Sequence, residues 1–194
     1  MLIMKPCPGI RVQKIYIPSG ARRIPALVLS PEELSAPATG VLWIHGGGYI
    51  SGMKEMVYIS RAVELVKSFG AVVVSPGYRL APFSPYPAAI DDCYAALLYM
   101  KEHAAELWVR EDQLMVGGES AGGGLCAAVC IKARDTGEVN VAFQMPLYPM
   151  LDDRDTETSR DNHGRVWNTW KNHFGWRCYL RGTDRETLPP YAAP

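Results

Sequence analysis

The chain has 194 residues, of which 48% are hydrophobic and 21% charged, with 20 basic and 20 acidic side chains. This composition is typical of a globular protein of one domain and excludes a disordered or collagen-like chain. The formal net charge is zero, so the sequence does not indicate the positive field that clustered Lys and Arg would create. Nucleic acid and anionic membranes are therefore not expected partners, whereas small molecules and other proteins are.

The cysteines and the start of the chain bear on its location. The five cysteines are odd in number and form no C-x-x-C pair, which predicts reduced thiols in a cytoplasmic protein and no zinc ribbon. Residues 1–6 show no basic stretch followed by an apolar one, and no apolar run approaches about 18 residues, so neither secretion nor a membrane span is expected. The sequence indicates no metal and no cofactor.

The first predicted elements form a hairpin. Residues 12–17 and 24–29 alternate apolar and polar positions around Pro18-Ser19-Gly20, which predicts two antiparallel edge strands. Four short, continuous apolar runs follow, as expected of strands covered on both faces. These runs are residues 41–44, 71–74, 114–116 and 141–143.

Helical patterns lie between the apolar runs. Residues 57–69 end at Gly70, residues 88–105 follow two prolines, and residues 120–134 precede Gly137. Strands that alternate with helices predict a doubly wound, mostly parallel α/β sheet, with ligands at the carboxyl ends of the strands.

The last part of the chain, residues 151–194, contains no apolar run typical of a strand. Its clearest feature is an aromatic repeat at helical spacing, which predicts a helix with one apolar face. We interpret that face as one that packs on the core or serves as a lid, and a dedicated ligand site is the alternative. The repeat consists of Trp167, Trp170, Phe174 and Cys178.

One candidate nucleophile stands in Gly118-Glu119-Ser120-Ala121-Gly122, directly after the apolar run 114–116 and directly before a helical pattern. A serine on a tight strand-to-helix turn is exposed, and its flanking glycines are needed because a Cβ would collide with neighbouring elements. The helix N-terminus favours negative charge that develops there. The pentapeptide alone also occurs in many glycine-rich loops.

A second motif, His45-Gly46-Gly47-Gly48-Tyr49, follows the run 41–44. Consecutive glycines allow backbone N–H groups to converge on the oxyanion that forms in acyl transfer. A flexible turn or a phosphate cradle is the alternative, but neither phosphate-binding glycine pattern is present. The two motifs together therefore favour acyl transfer.

These motifs resemble those of the hormone-sensitive-lipase-like carboxylesterases and lipases, a branch of the α/β-hydrolases. The resemblance spans roughly residues 40–150 and includes Tyr78-Arg79-Leu80-Ala81-Pro82, Tyr86-Pro87-Ala88-Ala89 and Asp91. The family commonly has an acidic residue where this chain has Phe83. We interpret the stretch 78–91 as structural, holding the glycine loop beneath the site.

The resemblance implies a role for each motif residue. Ser120 would be the nucleophile, and Gly47, Gly48 and Ala121 would supply the oxyanion-hole N–H groups. The supporting residues would be His45, Gly46, Gly118, Glu119 and Gly122. Cys126 and Cys130, on the helix behind the nucleophile, are interpreted as small core residues.

A serine hydroxyl needs a base and an acid, which follow the serine in chain order in this fold. Only His163 and His173 lie beyond Ser120, and the residues around them are expected to form a cap. We therefore interpret residues 1–150 as the N-terminal part of the hydrolase core and 151–194 as the cap segment and the start of further core. The last strands, with the triad Asp and His, would be absent.

An alternative is that a cap histidine pairs with one of the acids Asp152, Asp153 and Asp155. His45 and His103 are interpreted as structural.

Two functional hypotheses remain open. The first is a serine carboxylesterase that acts on small esters through an acyl-enzyme on Ser120. The second is a ligand-binding or degenerate protein without turnover, since plant hormone receptors share this fold. In either case, absent strands would leave an unpaired sheet edge, so self-association or a partner chain is expected.

Overall fold

The computed structural model describes residues 7–194, and the expectation for residues 1–6 lies outside the described residues. A mixed sheet of six strands in the order β1-β2-β4-β3-β5-β6 forms the centre of this part of the chain. The strands are β1 (Ile10–Ser19), β2 (Arg22–Pro31), β3 (Ala38–Ile44), β4 (Val72–Pro76), β5 (Val109–Glu119) and β6 (Phe143–Leu147).

Helices lie between β3 and β4, between β4 and β5 and between β5 and β6, and two more follow β6. A 3₁₀ helix (Lys54–Ile59) and α1 (Ala62–Phe69) precede β4. The other helices are α2 (Ala88–Glu102), α3 (Ala104–Leu107), α4 (Ala121–Thr136), α5 (Glu157–Arg160) and α6 (Thr169–Tyr179).

The predicted hairpin is confirmed, with two corrections. Strands β1 and β2 pair in antiparallel register up to Ser19 and Arg22, so the turn consists of Gly20 and Ala21 rather than of residues 18–20. Strand β1 is an edge strand, but β2 is not, because it also pairs with β4. The reason is that residues 26–29 are buried on both faces, which favours a position inside the sheet.

The doubly wound α/β prediction is confirmed. Strands β3, β4, β5 and β6 are mutually parallel. Val41 and Trp43 of β3 pack on one face with α1, whereas Leu42 and Ile44 pack on the other face with α2 and α4. Alternate side chains of the central strand therefore serve two separate cores.

Three predicted boundaries differ from the structure. The helix predicted over 57–69 is divided at Ser60, whose hydroxyl donates to the Val57 carbonyl (2.9 Å) and accepts from the Ala62 N–H (3.2 Å). Residues 88–105 form α2 and the start of α3 rather than one helix. The last strand begins at Phe143 instead of ending there, because Phe143 is the first residue in register with β5.

The prediction for the aromatic face of the last helix is correct only in part, since Trp167 and Cys178 pack against the core whereas Trp170 does not. Trp170 is 67% exposed and Phe174 stacks on it, with ring centroids 5.4 Å apart. The buried face of α6 instead carries Trp176, which is 1% exposed, and Tyr179. Trp167 precedes the helix, so the predicted repeat does not lie on one helical face.

Candidate active site

Ser120 lies on a sharp turn between β5 and α4. Its backbone has φ 56° and ψ −117°, a left-handed conformation that a non-glycine residue adopts only when its surroundings hold it there. Its N–H donates to the Leu147 carbonyl (3.0 Å), and its own carbonyl accepts from the Met150 N–H (3.1 Å). These bonds fix the turn against the end of β6 and the segment that follows it.

The two glycines that flank the turn allow it to pack on the end of β3. A Cβ on Gly118 would overlap the Gly122 carbonyl oxygen and lie 2.8 Å from the oxygen of Ile44. A Cβ on Gly122 would overlap the same Ile44 oxygen and lie 2.5 Å from the oxygen of His45. Only glycine allows this approach of backbone to backbone.

The same packing brings the two sequence motifs together. A Cβ on Gly46 would lie 2.9 Å from the Glu119 carbonyl oxygen and 3.3 Å from Ser120 Cβ. The glycine loop that follows β3 therefore borders the serine turn that follows β5. Both features lie at the carboxyl ends of neighbouring parallel strands, as expected for a ligand site in this type of sheet.

The glycine loop itself is a tight turn. Gly47 and Gly48 have φ 117° and 60°, and the Gly47 carbonyl accepts hydrogen bonds from the N–H groups of Ile50 (3.1 Å) and Ser51 (3.0 Å). Among residues 7–194, no hydrogen bond uses the N–H of Gly47 or Gly48. Ala121 is the first residue of α4, so its N–H also lacks a partner within the helix.

Residues of the last segment cover the glycine loop. The Trp167 ring lies where a Cβ on Gly48 would stand, and a Cβ on Gly175 would lie 2.8 Å from the Gly48 carbonyl oxygen. Tyr49 stacks on Tyr179 of α6 with ring centroids 4.0 Å apart. Trp167 and helix α6 therefore pack directly on the glycine loop.

His45, at the start of the loop, is a buried neutral imidazole. Burial lowers its pKa to about 4, although a hydrogen bond from Nδ1 to the Gly46 carbonyl (2.7 Å) opposes that shift. Its ring stacks on Tyr78 with centroids 4.2 Å apart, and the Tyr78 hydroxyl donates to the His45 carbonyl (2.9 Å). His45 thus anchors the loop, and among residues 7–194 no hydrogen bond joins its ring to the Ser120 hydroxyl.

Asp92, which sequence reasoning missed, is the acid at the centre of the stretch 78–92. Its side chain is 0% exposed and receives hydrogen bonds from Arg79 and Ser19. Asp91, which the motif pointed to, lies on another face of α2 and binds Lys132 (3.0 Å). The missed signal was helical spacing, since Asp92 lies three and four residues after the buried Ala89 and Ala88.

The structure also places the remaining residues that the sequence singled out, namely Glu119, Cys126, Cys130 and Phe83. Glu119 lies beside Tyr148, and burial together with the Glu119 charge raises the pKa of that phenol. Cys126 is buried, with its thiol 3.3 Å from the Val116 carbonyl, and Cys130 is half-buried. Phe83 is exposed to solvent.

The histidines beyond Ser120 pair with acids on the surface. His173 Nε2 lies 2.7 Å from Asp155 and His163 Nε2 lies 2.8 Å from Asp161. In the part of the chain that the structure describes, the Ser120 hydroxyl forms no hydrogen bond to either histidine. His103 binds the Tyr99 carbonyl at the end of α2 (3.1 Å).

The Asp155–His173 pair lies in an open cavity of about 960 Å³. Asp152 and Asp153 line the same cavity, and Ser120 does not. The predicted pairing of a cap histidine with an acid is therefore found in Asp155 and His173, but this pair does not lie beside Ser120.

Within the described range, no group of three or more His, Cys, Asp or Glu side chains is arranged to hold a metal ion. None of the helices described is long and apolar enough to cross a membrane.

Comparisons with known proteins agree with this architecture. A family model for the alpha/beta hydrolase fold matches residues 41–194. Carboxylic ester hydrolase LipN of Mycobacterium tuberculosis is 34% identical over 192 residues, which cover 95% of this chain and 50% of that protein. The gibberellin receptor GID1C of Arabidopsis thaliana is 29% identical over 189 residues, or 90% of this chain and 53% of the receptor.

A solved structure is similar over nearly the whole chain. Bacterial heroin esterase superposes with a TM-score of 0.91 at 36% sequence identity, covering 96% of this chain and 61% of the esterase. The chain therefore spans about half the length of the two curated relatives named above and about three fifths of this solved structure.

Proposed function

Because the chain belongs to the α/β-hydrolase fold family, we propose that it carries the nucleophile and oxyanion loop of a serine carboxylesterase that acts on small carboxylic esters. The proposal rests mainly on the contact between the glycine loop and the serine turn, where a Cβ on Gly46 would lie 3.3 Å from Ser120 Cβ. The esterase names of LipN and of the bacterial heroin esterase support it.

The proposed chemistry proceeds by acyl transfer. The Ser120 oxygen bonds to the ester carbonyl carbon while its proton passes to a general base, and the carbonyl oxygen becomes an oxyanion. The N–H groups of Gly47, Gly48 and Ala121 donate to that oxyanion. The alcohol then leaves with the proton from the base, and water hydrolyses the acyl-enzyme to release the acid.

We propose that the base and its acid are supplied from outside residues 1–194. Burial holds the pKa of His45 at about 4, and His163 and His173 are bound to aspartates away from Ser120. The share of its relatives that the chain spans also fits this proposal. Without base and acid, activity is expected to fall by a factor on the order of 10⁶.

The same proposal includes the division of the chain into two parts, its association with other chains and its cellular location. Residues 1–150 would be the N-terminal part of the hydrolase core, and 151–194 a cap segment, which the packing of Trp167 on Gly48 supports. The exposed Phe143 and Tyr148, on and beside β6 at the end of the sheet, favour self-association or a partner chain there. Free thiols at all five cysteines favour a cytoplasmic location.

A fluorophosphonate probe tests the reactivity of the serine. The purified chain, which lacks the base, should be labelled slowly at Ser120, yet about 10³-fold faster than at an ordinary serine because the oxyanion hole remains. Intact mass and peptide mapping measure this labelling, and Ser120→Ala should not be labelled at this position. Ser159→Ala, which alters an unrelated serine in α5, is the matched control and should label as the parent does. A folded parent chain in which Ser120 is labelled no faster than the ordinary serine Ser159 would contradict the proposal.

A second candidate is a binding protein without turnover. It is favoured by a specific observation, since in the described part of the chain the Ser120 hydroxyl has no hydrogen-bonded base, and the gibberellin receptor is among the relatives. Such a protein would show ligand-dependent thermal stabilisation with no release of p-nitrophenol from a short-chain p-nitrophenyl ester. Release that is absent in Ser120→Ala would favour the esterase instead.

A further inference from the structure

We propose that Asp92 is the positioning residue for the glycine loop, which it orients through Arg79 and the adjoining residues Tyr78 and Ala81. The proposal rests on the proposed function above, because it assumes that this loop forms the oxyanion hole. Asp92 itself lies behind the loop, on α2.

Asp92 is clamped from two directions. One carboxylate oxygen accepts from the Arg79 backbone N–H (2.9 Å) and from Nε (2.8 Å), and the other accepts from Nη2 (2.8 Å). The Ser19 hydroxyl at the end of β1 donates to the second oxygen (2.5 Å). The bidentate pair with the guanidinium raises the pKa of Arg79 and gives the junction a defined geometry.

The residues beside Arg79 transmit this geometry to both ends of the loop. At its start, the Tyr78 hydroxyl donates to the His45 carbonyl (2.9 Å), and the two rings stack. At its end, the Ala81 N–H donates to the Tyr49 carbonyl (2.9 Å). The loop is therefore held at its two ends by one short segment, and Asp92 fixes that segment.

The middle of the loop is held by the Ile50 and Ser51 bonds to the Gly47 carbonyl and by the Trp167 ring, but its orientation also depends on the contacts at its two ends. The N–H groups of Gly47 and Gly48 form no hydrogen bond within residues 7–194, so no such bond fixes their direction. Oxyanion donors must be positioned to within about 0.5 Å to act on the transition state. Loosening either end would therefore misdirect the donors even though they lie on other residues.

Asp91 provides a matched control. It is the next residue on α2, carries the same charge and also forms an ion pair, yet its partner Lys132 belongs to α4. Asp91→Asn removes a partly buried ion pair and leaves every hydrogen bond of the segment 78–81 in place. Asp92→Asn removes the buried charge, and it changes the shape of the side chain as little as Asp91→Asn does.

The experiment compares amide hydrogen exchange of these two variants by NMR on the full chain. The Ala81 and Ser51 N–H groups report the loop, and the Val116 N–H reports the central sheet. In Asp92→Asn, exchange at Ala81 and Ser51 should accelerate by about tenfold or more, as expected for loss of charge-assisted hydrogen bonds. Exchange at Val116 should change by a smaller factor, and Asp91→Asn should leave all three within about twofold.

Arg79→Lys keeps the experiment decisive if Asp92→Asn does not fold. Lysine retains the charge and the backbone N–H but loses the forked donors, so exchange at Ala81 and Ser51 should still accelerate, by about threefold. Acceleration that is equal at Val116, or equal in Asp91→Asn, would indicate a purely structural role and overturn the proposal.

The rate of Ser120 labelling by the phosphonate separates this proposal from the proposed function. If the parent chain is labelled, Asp92→Asn should slow labelling by about tenfold or more and Asp91→Asn should not. Labelling at the parent rate in a folded Asp92→Asn would overturn the positioning role. If Ser120 of the parent is labelled no faster than Ser159 but loop exchange responds as expected, the control of the loop by Asp92 holds and the esterase proposal fails.

Discussion

Replacing Gly118 with alanine tests whether the serine turn is held by backbone contact. A Cβ at this position would lie 2.6 Å from the Gly122 carbonyl carbon and 2.8 Å from the Ile44 carbonyl oxygen. Ordinary contact distances begin near 3.4 Å, so the backbone of α4 at Gly122 would have to move away from Gly118 by about 0.8 Å or more, and that of β3 at Ile44 by about 0.6 Å. Neither neighbour is a flexible side chain, so we expect a loss of about 3 kcal/mol, the upper end for overpacking in a core.

Gly70→Ala is the matched control for the loss of glycine as such. Gly70 ends α1 with φ 66°, and a Cβ there would meet nothing within 4 Å. It therefore carries the cost of a left-handed alanine without crowding, about 1 kcal/mol. Gly118 does not have a positive φ, so its loss is steric, and Gly70→Ala gives the size of a purely conformational loss for comparison.

Urea denaturation followed by circular dichroism measures both losses. With a slope of about 3 kcal/mol/M, Gly118→Ala should lower the midpoint by about 1 M and Gly70→Ala by about 0.3 M. A Gly118→Ala midpoint no lower than that of Gly70→Ala would refute the reasoning, because it would mean that the turn does not press against β3.

Three further predictions concern strain, pH and core packing. Ser120→Gly should unfold with a free energy about 1 kcal/mol above that of Ser120→Ala in urea, because glycine relieves the strain at φ 56°. Because burial lowers the pKa of His45 from 6.5 to about 4, the unfolded chain binds its proton first as the pH falls. The free energy of unfolding should therefore drop by about 2 kcal/mol between pH 7 and pH 5, and His45→Asn should abolish this part of the dependence. Trp176→Ala should cost about 3–5 kcal/mol and Trp170→Ala less than about 0.5 kcal/mol, whereas equal thermal shifts would contradict the assignment of the buried face of α6.

The parts of the site that sequence predicted well are those governed by local rules. Continuous apolar runs indicated the central strands, and the glycines around Ser120 and after His45 indicated backbone that must come close to other backbone. Both motifs follow buried strands directly, so their meeting at one edge of the sheet could also be expected. The roles of Ser120, Gly47, Gly48 and Ala121 stay predictions that the labelling experiment tests.

Features that depend on which neighbour a residue meets were harder to predict. Asp91 and Asp92 are adjacent and identical in type, and only the rotation of α2 against the hairpin decides which of them is buried. Likewise, Trp170 and Trp176 are both tryptophans on α6, and the glycine loop beneath the helix selects Trp176 as the buried one.

By itself, the sequence determined the fold class, the strand-to-helix turn at Ser120 and the glycine loop, because periodicity and glycine placement act over a few residues. Only the tertiary structure decided that β2 lies inside the sheet, that Trp167 covers Gly48 and that Asp92 controls the segment behind the loop. Those outcomes depend on contacts between residues far apart in the chain, whose energies depend on burial and geometry that exist only once the elements have packed.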